Sequence, residues 1–159
     1  MLRRIIRWLF FLLILPVVGC ALYFLASFTA GMPFHNYRLY QADKVFRQVQ
    51  HPSYTSLAKS FKEVSIANAN DCGYLVGELR RYSGSRQIIQ VFYADQTKGD
   101  QRIRLSFVEN GKLPMDNLWS LSGAARISDW LVSLPEPKDD LYFIYFFEIG
   151  DGFFDIRCN

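Results

Sequence analysis

Leu141-Tyr142-Phe143-Ile144-Tyr145-Phe146-Phe147 is the stretch whose reading decides the fold. A half-solvated strand alternates apolar and polar residues, whereas this run is apolar or aromatic throughout, as a strand covered on both faces requires. Downstream, Gly150-Asp151-Gly152 predicts a turn, and Phe153 to Cys158 then forms a last strand. The pair makes a C-terminal β-hairpin that ties the carboxyl end into the sheet.

Upstream the period changes. Leu118, Leu121, Ala125, Trp130, Leu131 and Leu134 recur at three-to-four spacing and predict a helix between Asp116 and Pro135. Asp116 or Ser120 would cap it and Pro135 would stop it. Before it, Ile103, Leu105 and Phe107 share one face while Arg102, Arg104 and Ser106 share the other, the signature of a strand with one wet side. Asn110-Gly111 supplies a strong two-residue turn. Residues 72 to 82 also alternate, with Leu75 and Leu79 opposite Glu78 and Arg80. Tyr82-Ser83-Gly84-Ser85 predicts a hairpin into a second strand, Ile88 to Ala94, so the three strands read as an antiparallel meander.

The segment before them is ambiguous. Tyr54, Leu57, Ala58 and Phe61 fit a helical stripe, whereas Val64, Ser65 and Ile66 look extended, so a change of structure is expected within 54 to 66. Residues 53–159 thus read as one α+β domain, with one helix covering a face of an antiparallel sheet. Residues 32–52 read as an interfacial spacer, in which Phe34, Tyr37 and Tyr40 suit the headgroup region. An alternative for 39 to 50 is a helix carrying Leu39, Val45, Phe46 and Val49, stopped by His51-Pro52.

Residues 8–31, Trp8 to Gly31, contain no charged side chain and are apolar around the whole circumference. At 1.5 Å per residue they span about 36 Å, against a hydrocarbon thickness of about 30 Å, which makes a transmembrane helix. Residues 1–7 form a basic tail whose Arg3, Arg4 and Arg7 act as an orientation signal, holding the N-terminus in the cytoplasm. These three account for the formal charge of +3. Removing them from the 18 basic residues leaves 15, against 15 acidic ones, so the remainder is neutral and no nucleic-acid partner is expected.

An uncleaved signal anchor is the favoured form, because Leu22, Tyr23, Phe24, Leu25 and Phe28 continue past the length of a cleavable signal core. Cleavage and lipidation remain alternatives. Val17-Val18-Gly19-Cys20 resembles the bacterial lipobox, which implies lipidation at Cys20, although the chain after that cysteine is apolar where lipoproteins are polar. Pro16 within the run is compatible with either form.

The other two cysteines, Cys72 and Cys158, open the first strand of the meander and close the last strand. Adjacent strands would bring them within bridging distance, and an extracytoplasmic space would keep the disulfide oxidised.

No catalytic, cofactor or metal motif stands out. His35 and His51 lie in the spacer without ligand spacing and read as solvated residues. Ser83-Gly84-Ser85 reads as turn chemistry, and Gly150-Asp151-Gly152 lacks the Lys and helix of a phosphate loop. Glu78 with Arg80, Arg102 and Arg104 reads as ion pairing on an exposed sheet face. Glu148 and Asp155 would face one another across the last hairpin, an unusual meeting of like charges. With Arg157 and Arg126 they form the candidate ligand cluster.

The expectation is therefore a single-pass protein of a cell inner membrane, its domain periplasmic or extracellular. Its partners would be the lipid bilayer and a membrane or envelope protein, in a non-enzymatic accessory role without cofactors. The alternative is a small-ligand sensor or enzyme with a noncanonical site near Glu148, Asp155 and Arg157.

Overall fold

A computed structural model describes residues 2–68, 71–98, 100–114, 122–134, 139–152 and 155–158. The chain is α+β, with one long apolar N-terminal helix, an antiparallel four-stranded sheet and further helices.

Helix α1 (Leu2–Ala26) runs through a π-helical turn (Ser27–Gly31) into α2 (Met32–Phe46) with helical dihedrals at both junctions. The π turn has a cause in sequence. Pro33 lacks an N–H and its ring crowds the carbonyl four residues back, at Thr29. Widening the register relieves the clash, and the Met32 N–H bonds instead to the Ser27 carbonyl, five residues back. Among the described residues this is the one helix long and apolar enough to cross a membrane.

The spacer reading is corrected for 32–46, which is helical and docks on the sheet through His35, Ala42, Asp43 and Phe46. With Leu39 between them, His35, Ala42 and Phe46 fall at four-three-four spacing on one stripe, and Asp43 lies four residues after Leu39. Asp43 accepts from Lys62 Nζ at 2.9 Å and from Arg47 Nε at 3.1 Å, which joins α2 to the first strand. Burial disfavours the charged form of Asp43, but the two cations outweigh it and hold its pKa below the ordinary value.

Strands β1 (Thr55–Asn68), β2 (Asp71–Tyr82), β3 (Ile103–Phe107) and β4 (Leu141–Asp151) lie in the order β1-β2-β4-β3, all neighbours antiparallel. The expected change of structure within 54 to 66 does not occur, since β1 is a strand throughout, irregular between Leu57 and Lys59. The meander is also corrected. Residues Arg86–Thr97 form helix α3, not a strand, because Ile89 and Tyr93, four apart, bury one stripe while Ile88 and Val91 stay exposed. Asn110-Gly111 does turn the chain tightly, with positive φ at both residues and paired bonds between Glu109 and Lys112.

Helix α4 (Ser122–Ser133) falls within the predicted helix, whose proposed caps Asp116 and Ser120 and stop Pro135 lie outside the described residues. It buries Ile127 and Leu131 against Leu75, Leu79, Phe143 and Phe147 on one face of the sheet. A single covering helix was expected. The opposite face is covered too, by α2 and α3, which pack Phe46, Ile89 and Tyr93 against Tyr74, Val76, Tyr142 and Ile144. Leu141 to Phe147 are all buried, as a strand between two helical layers must be.

The C-terminal hairpin is corrected as well. Past Asp151 the described residues form tight turns, with the Asp155 N–H bonded to the Gly152 carbonyl and the Cys158 N–H to that of Asp155.

Candidate functional site

The candidate residues gather where α2 begins, β2 begins, β4 ends and the C-terminal turn folds back. Register sets the frame, since Cys72 is paired with Gly150 and Tyr74 with Glu148. Even-numbered residues of β2 point toward α2, which brings Cys72 and Tyr74 under the helix.

Cys72 and Cys158 form the expected disulfide, with Cα atoms 5.0 Å apart and both residues fully buried. His35 lies against it. Neither histidine is the solvated residue expected from sequence, since His35 is 1 % exposed and its Nδ1 is hydrogen-bonded to the Tyr74 hydroxyl. The two rings stack at 5.9 Å. Asp155, also fully buried, accepts from the Arg157 backbone N–H at 2.9 Å and from its Nε at 3.0 Å. Burial pushes the Asp155 carboxyl upward, but the Arg157 hydrogen bonds, with a smaller contribution from the charge of His35, outweigh it and hold the pKa below the ordinary value.

The same turn grips the long helix. The Ile156 N–H donates to Ser27 Oγ at 3.2 Å, and Arg157 Nη1 donates to Asn36 Oδ1 at 2.9 Å. Ser27, on the π turn, is buried by this contact.

Donor atoms of His35, Cys72 and Asp155 lie within 4.8 Å of one another. As a metal centre the set fits poorly. The Cys72 sulfur is bonded to Cys158, and both Asp155 oxygens are held by Arg157.

Next to this cluster is a groove of about 290 Å³ between α2 and β4, lined by Tyr37, Arg38, Gln41, Arg102, Phe146 and Glu148 among others. Glu148 accepts from Arg38 Nη2 at 2.5 Å and from Arg102 Nη1 at 3.1 Å. The expected cluster is thus divided. Glu148 opens onto the groove, whereas Asp155 and Arg157 bind each other and do not line it. Glu148 and Asp155 do not meet across a hairpin. Arg126 lies elsewhere, on α4, donating to Glu63 of β1 at 3.3 Å. Cys20 is an exposed free thiol on α1, and Arg3, Arg4 and Arg7 occupy its first turns.

A second polar network sits further along the same sheet face. His51 Nδ1 is hydrogen-bonded to Tyr93 OH at 2.8 Å, Tyr93 to Tyr142 OH at 3.0 Å, and His51 Nε2 lies 3.4 Å from Glu78 Oε2. Arg80 donates to Glu78 at 2.5 Å and to Thr55 Oγ1 at 3.2 Å. This Glu78–Arg80 pair lies within one strand, not across two. Burial, helped by the positive Arg80 and opposed by Glu78, lowers the pKa of His51 from its ordinary 6.5. An unfolded chain therefore takes up this proton more readily than the folded one. The contribution to stability is complete above about pH 6.5 and is lost as pH falls through the lower folded value. The thermal midpoint of the full chain in detergent is expected to fall between about pH 7.5 and 5.5, and His51→Gln should make that slope shallower. Identical slopes in the two proteins would place the titration at another group.

Sequence reasoning missed His35, Arg38 and Tyr74. A signal for His35 existed, because counting back from Phe46 in steps of four, three and four reaches Ala42, Leu39 and His35.

No protein-family model matches the chain, and no curated protein or solved structure matches it.

Proposed function

We propose that the protein is a single-pass membrane protein, N-terminus in the cytoplasm, whose extracytoplasmic α+β domain serves as a non-enzymatic adaptor in an envelope complex. The observation that carries this reading is the junction. An apolar helix of spanning length passes without a break into α2, whose inner stripe is part of the domain core. The C-terminal turn then bonds to residues on both sides of that junction. A flexible tether would leave a domain free to search a volume. A helix shared between anchor and core instead fixes the domain's height and facing at the bilayer, which suits a component that docks against a neighbour in the same membrane. Arg3, Arg4 and Arg7 support the orientation, and the Cys72–Cys158 disulfide agrees with an oxidising compartment.

Affinity purification from membranes after in-cell crosslinking tests the adaptor role and should recover one envelope protein in near-stoichiometric amount. Placement is tested separately. The chain should stay in the pellet after carbonate washing, and a phosphatase reporter fused after Asn159, active only in an oxidising space, should be active. A soluble chain or a silent reporter overturns the reading. Ligand binding is the second reading. The observation favouring it is the groove at Glu148, where charged side chains meet an open cavity.

A further inference from the structure

We propose that the groove between α2 and β4 binds a phosphodiester monoanion, and that its occupant is the headgroup phosphate of a membrane phospholipid. The assignment rests on the membrane placement above and adds a ligand to it.

Free guanidinium donors select an anion. Two guanidiniums, Arg38 and Arg102, line the groove with one carboxylate, Glu148, and Asp100 beside Arg102 balances the second positive charge, so recognition rests on the donors left over at Arg38. The two arginines are not equivalent. Asp100 holds Arg102 from outside through Nε and Nη2, and Glu148 takes its Nη1. Arg38 is oriented but not saturated. Among the described residues it donates one hydrogen bond, to Glu148, while its guanidinium lies 5.3 Å from the centre of the Tyr74 ring. A guanidinium carries five N–H donors in a planar fork that matches phosphate oxygens, so Arg38, with 39 % of its side chain exposed, has donors to offer. Tyr37 and Gln41 add a hydroxyl and an amide to the lining, and Phe146 supplies an apolar wall.

Position selects the source. Arg38 follows Gly31 on the same continuous helix, about 10 Å further along at 1.5 Å per residue. A headgroup layer is about 5 to 7 Å thick, and helical side chains lean toward the N-terminus, here toward the bilayer. Phe34 and Tyr37, three apart on α2, are 55 % and 61 % exposed and are residue types that settle at this interface. The volume, about 290 Å³, is at the small end for a ligand pocket and suits a headgroup rather than a whole lipid.

Native mass spectrometry of the full chain in detergent, titrated with phosphatidylglycerol, tests the site. One tight adduct per chain is expected, weakened about tenfold by Arg38→Gln and retained by Arg7→Gln, which removes a charge from the basic tail instead. Glu148→Gln removes the competing carboxylate and should strengthen the adduct, a direction that general loss of structure would not produce. Equal adducts in wild type and Arg38→Gln, loss with Arg7→Gln alone, or weakening with both Arg38→Gln and Glu148→Gln overturns the proposal. A hundredfold excess of inorganic phosphate should leave the lipid adduct in place. Complete displacement would make this a free-phosphate site and overturn the lipid assignment. Because the measurement is made in detergent, it can fail while carbonate washing still supports the anchor, and the reverse.

Discussion

Replacing Cys72 and Cys158 together with alanine is expected to lower the stability of the full chain in detergent by about 4 to 5 kcal/mol. The disulfide joins residues 86 apart, and closing a loop of that length removes about that much entropy from the unfolded chain. Both residues are fully buried, so alanine leaves no unpaired polar group to confuse the measurement. The loss should also have a location. Cys158 ends the turn through which Ile156 and Arg157 hold Ser27 and Asn36, so amide exchange should quicken around Ser27 to Met32 before it does in β2 or β4. The denaturant midpoint measures the first effect and hydrogen exchange the second. An unchanged midpoint would mean that the cross-link contributes nothing to holding this turn.

The sheet was legible wherever side chains alternate or wherever they conspicuously fail to. Ile103, Leu105 and Phe107 declare a strand by period, and Leu141 to Phe147 declare a buried one by having none. That second reading already required cover on both faces. The second cover is concealed because α2 buries His35 and Asp43 beside Ala42 and Phe46, which hides its stripe among polar residue types. Helix α3 is concealed in the sequence for the opposite reason. Ile88, Ile89, Val91 and Phe92 favour strands, but burial of Ile89 and Tyr93, one turn apart, decides against that propensity. Strand order was beyond local pattern. The return of β4 to lie between β2 and β3 is a long-range outcome that no turn signal encodes.

The candidate site was legible in its covalent part and in its one anomalous charge. Cys72 and Cys158 stand at opposite ends of the expected sheet, and Glu148 stands out in the sequence only as one of two like charges expected to meet, with Asp155. The partners of Glu148, Arg38 and Arg102, lie 110 and 46 residues away, and Tyr74, which bonds to His35, lies 39 from it, separations at which only the folded register supplies the contact. The division of Glu148 from Asp155 follows from the turns at residues 155–158, which stand where the strand was expected and bring an Asp155 oxygen within 4.8 Å of the Cys72 sulfur and the His35 ring.

Gly77→Ala is expected to destabilise the full chain by about 3 kcal/mol, although a single methyl group is added. Gly77 lies in β2 opposite Tyr145 of β4, on the face toward α4. A Cβ there would lie 2.6 Å from Tyr145 Cβ, 2.8 Å from Phe143 Cζ and 2.9 Å from the Ile144 carbonyl oxygen. The first and last of these belong to backbone or to an atom fixed by it, so no rotamer change relieves them. The phenylalanine could turn aside only by breaking its stack with Tyr145, whose ring centre is 4.8 Å away at an interplanar angle of 17°. Relief therefore requires β2 and β4 to separate at the middle of the sheet, where both strands are covered by helices. The cost is expected on the unfolding midpoint of the chain in detergent. Gly19→Ala on α1 serves as the comparison, since nothing lies within 4 Å of a Cβ placed there. A Gly77→Ala protein as stable as that control would show that the two central strands pack less closely than described.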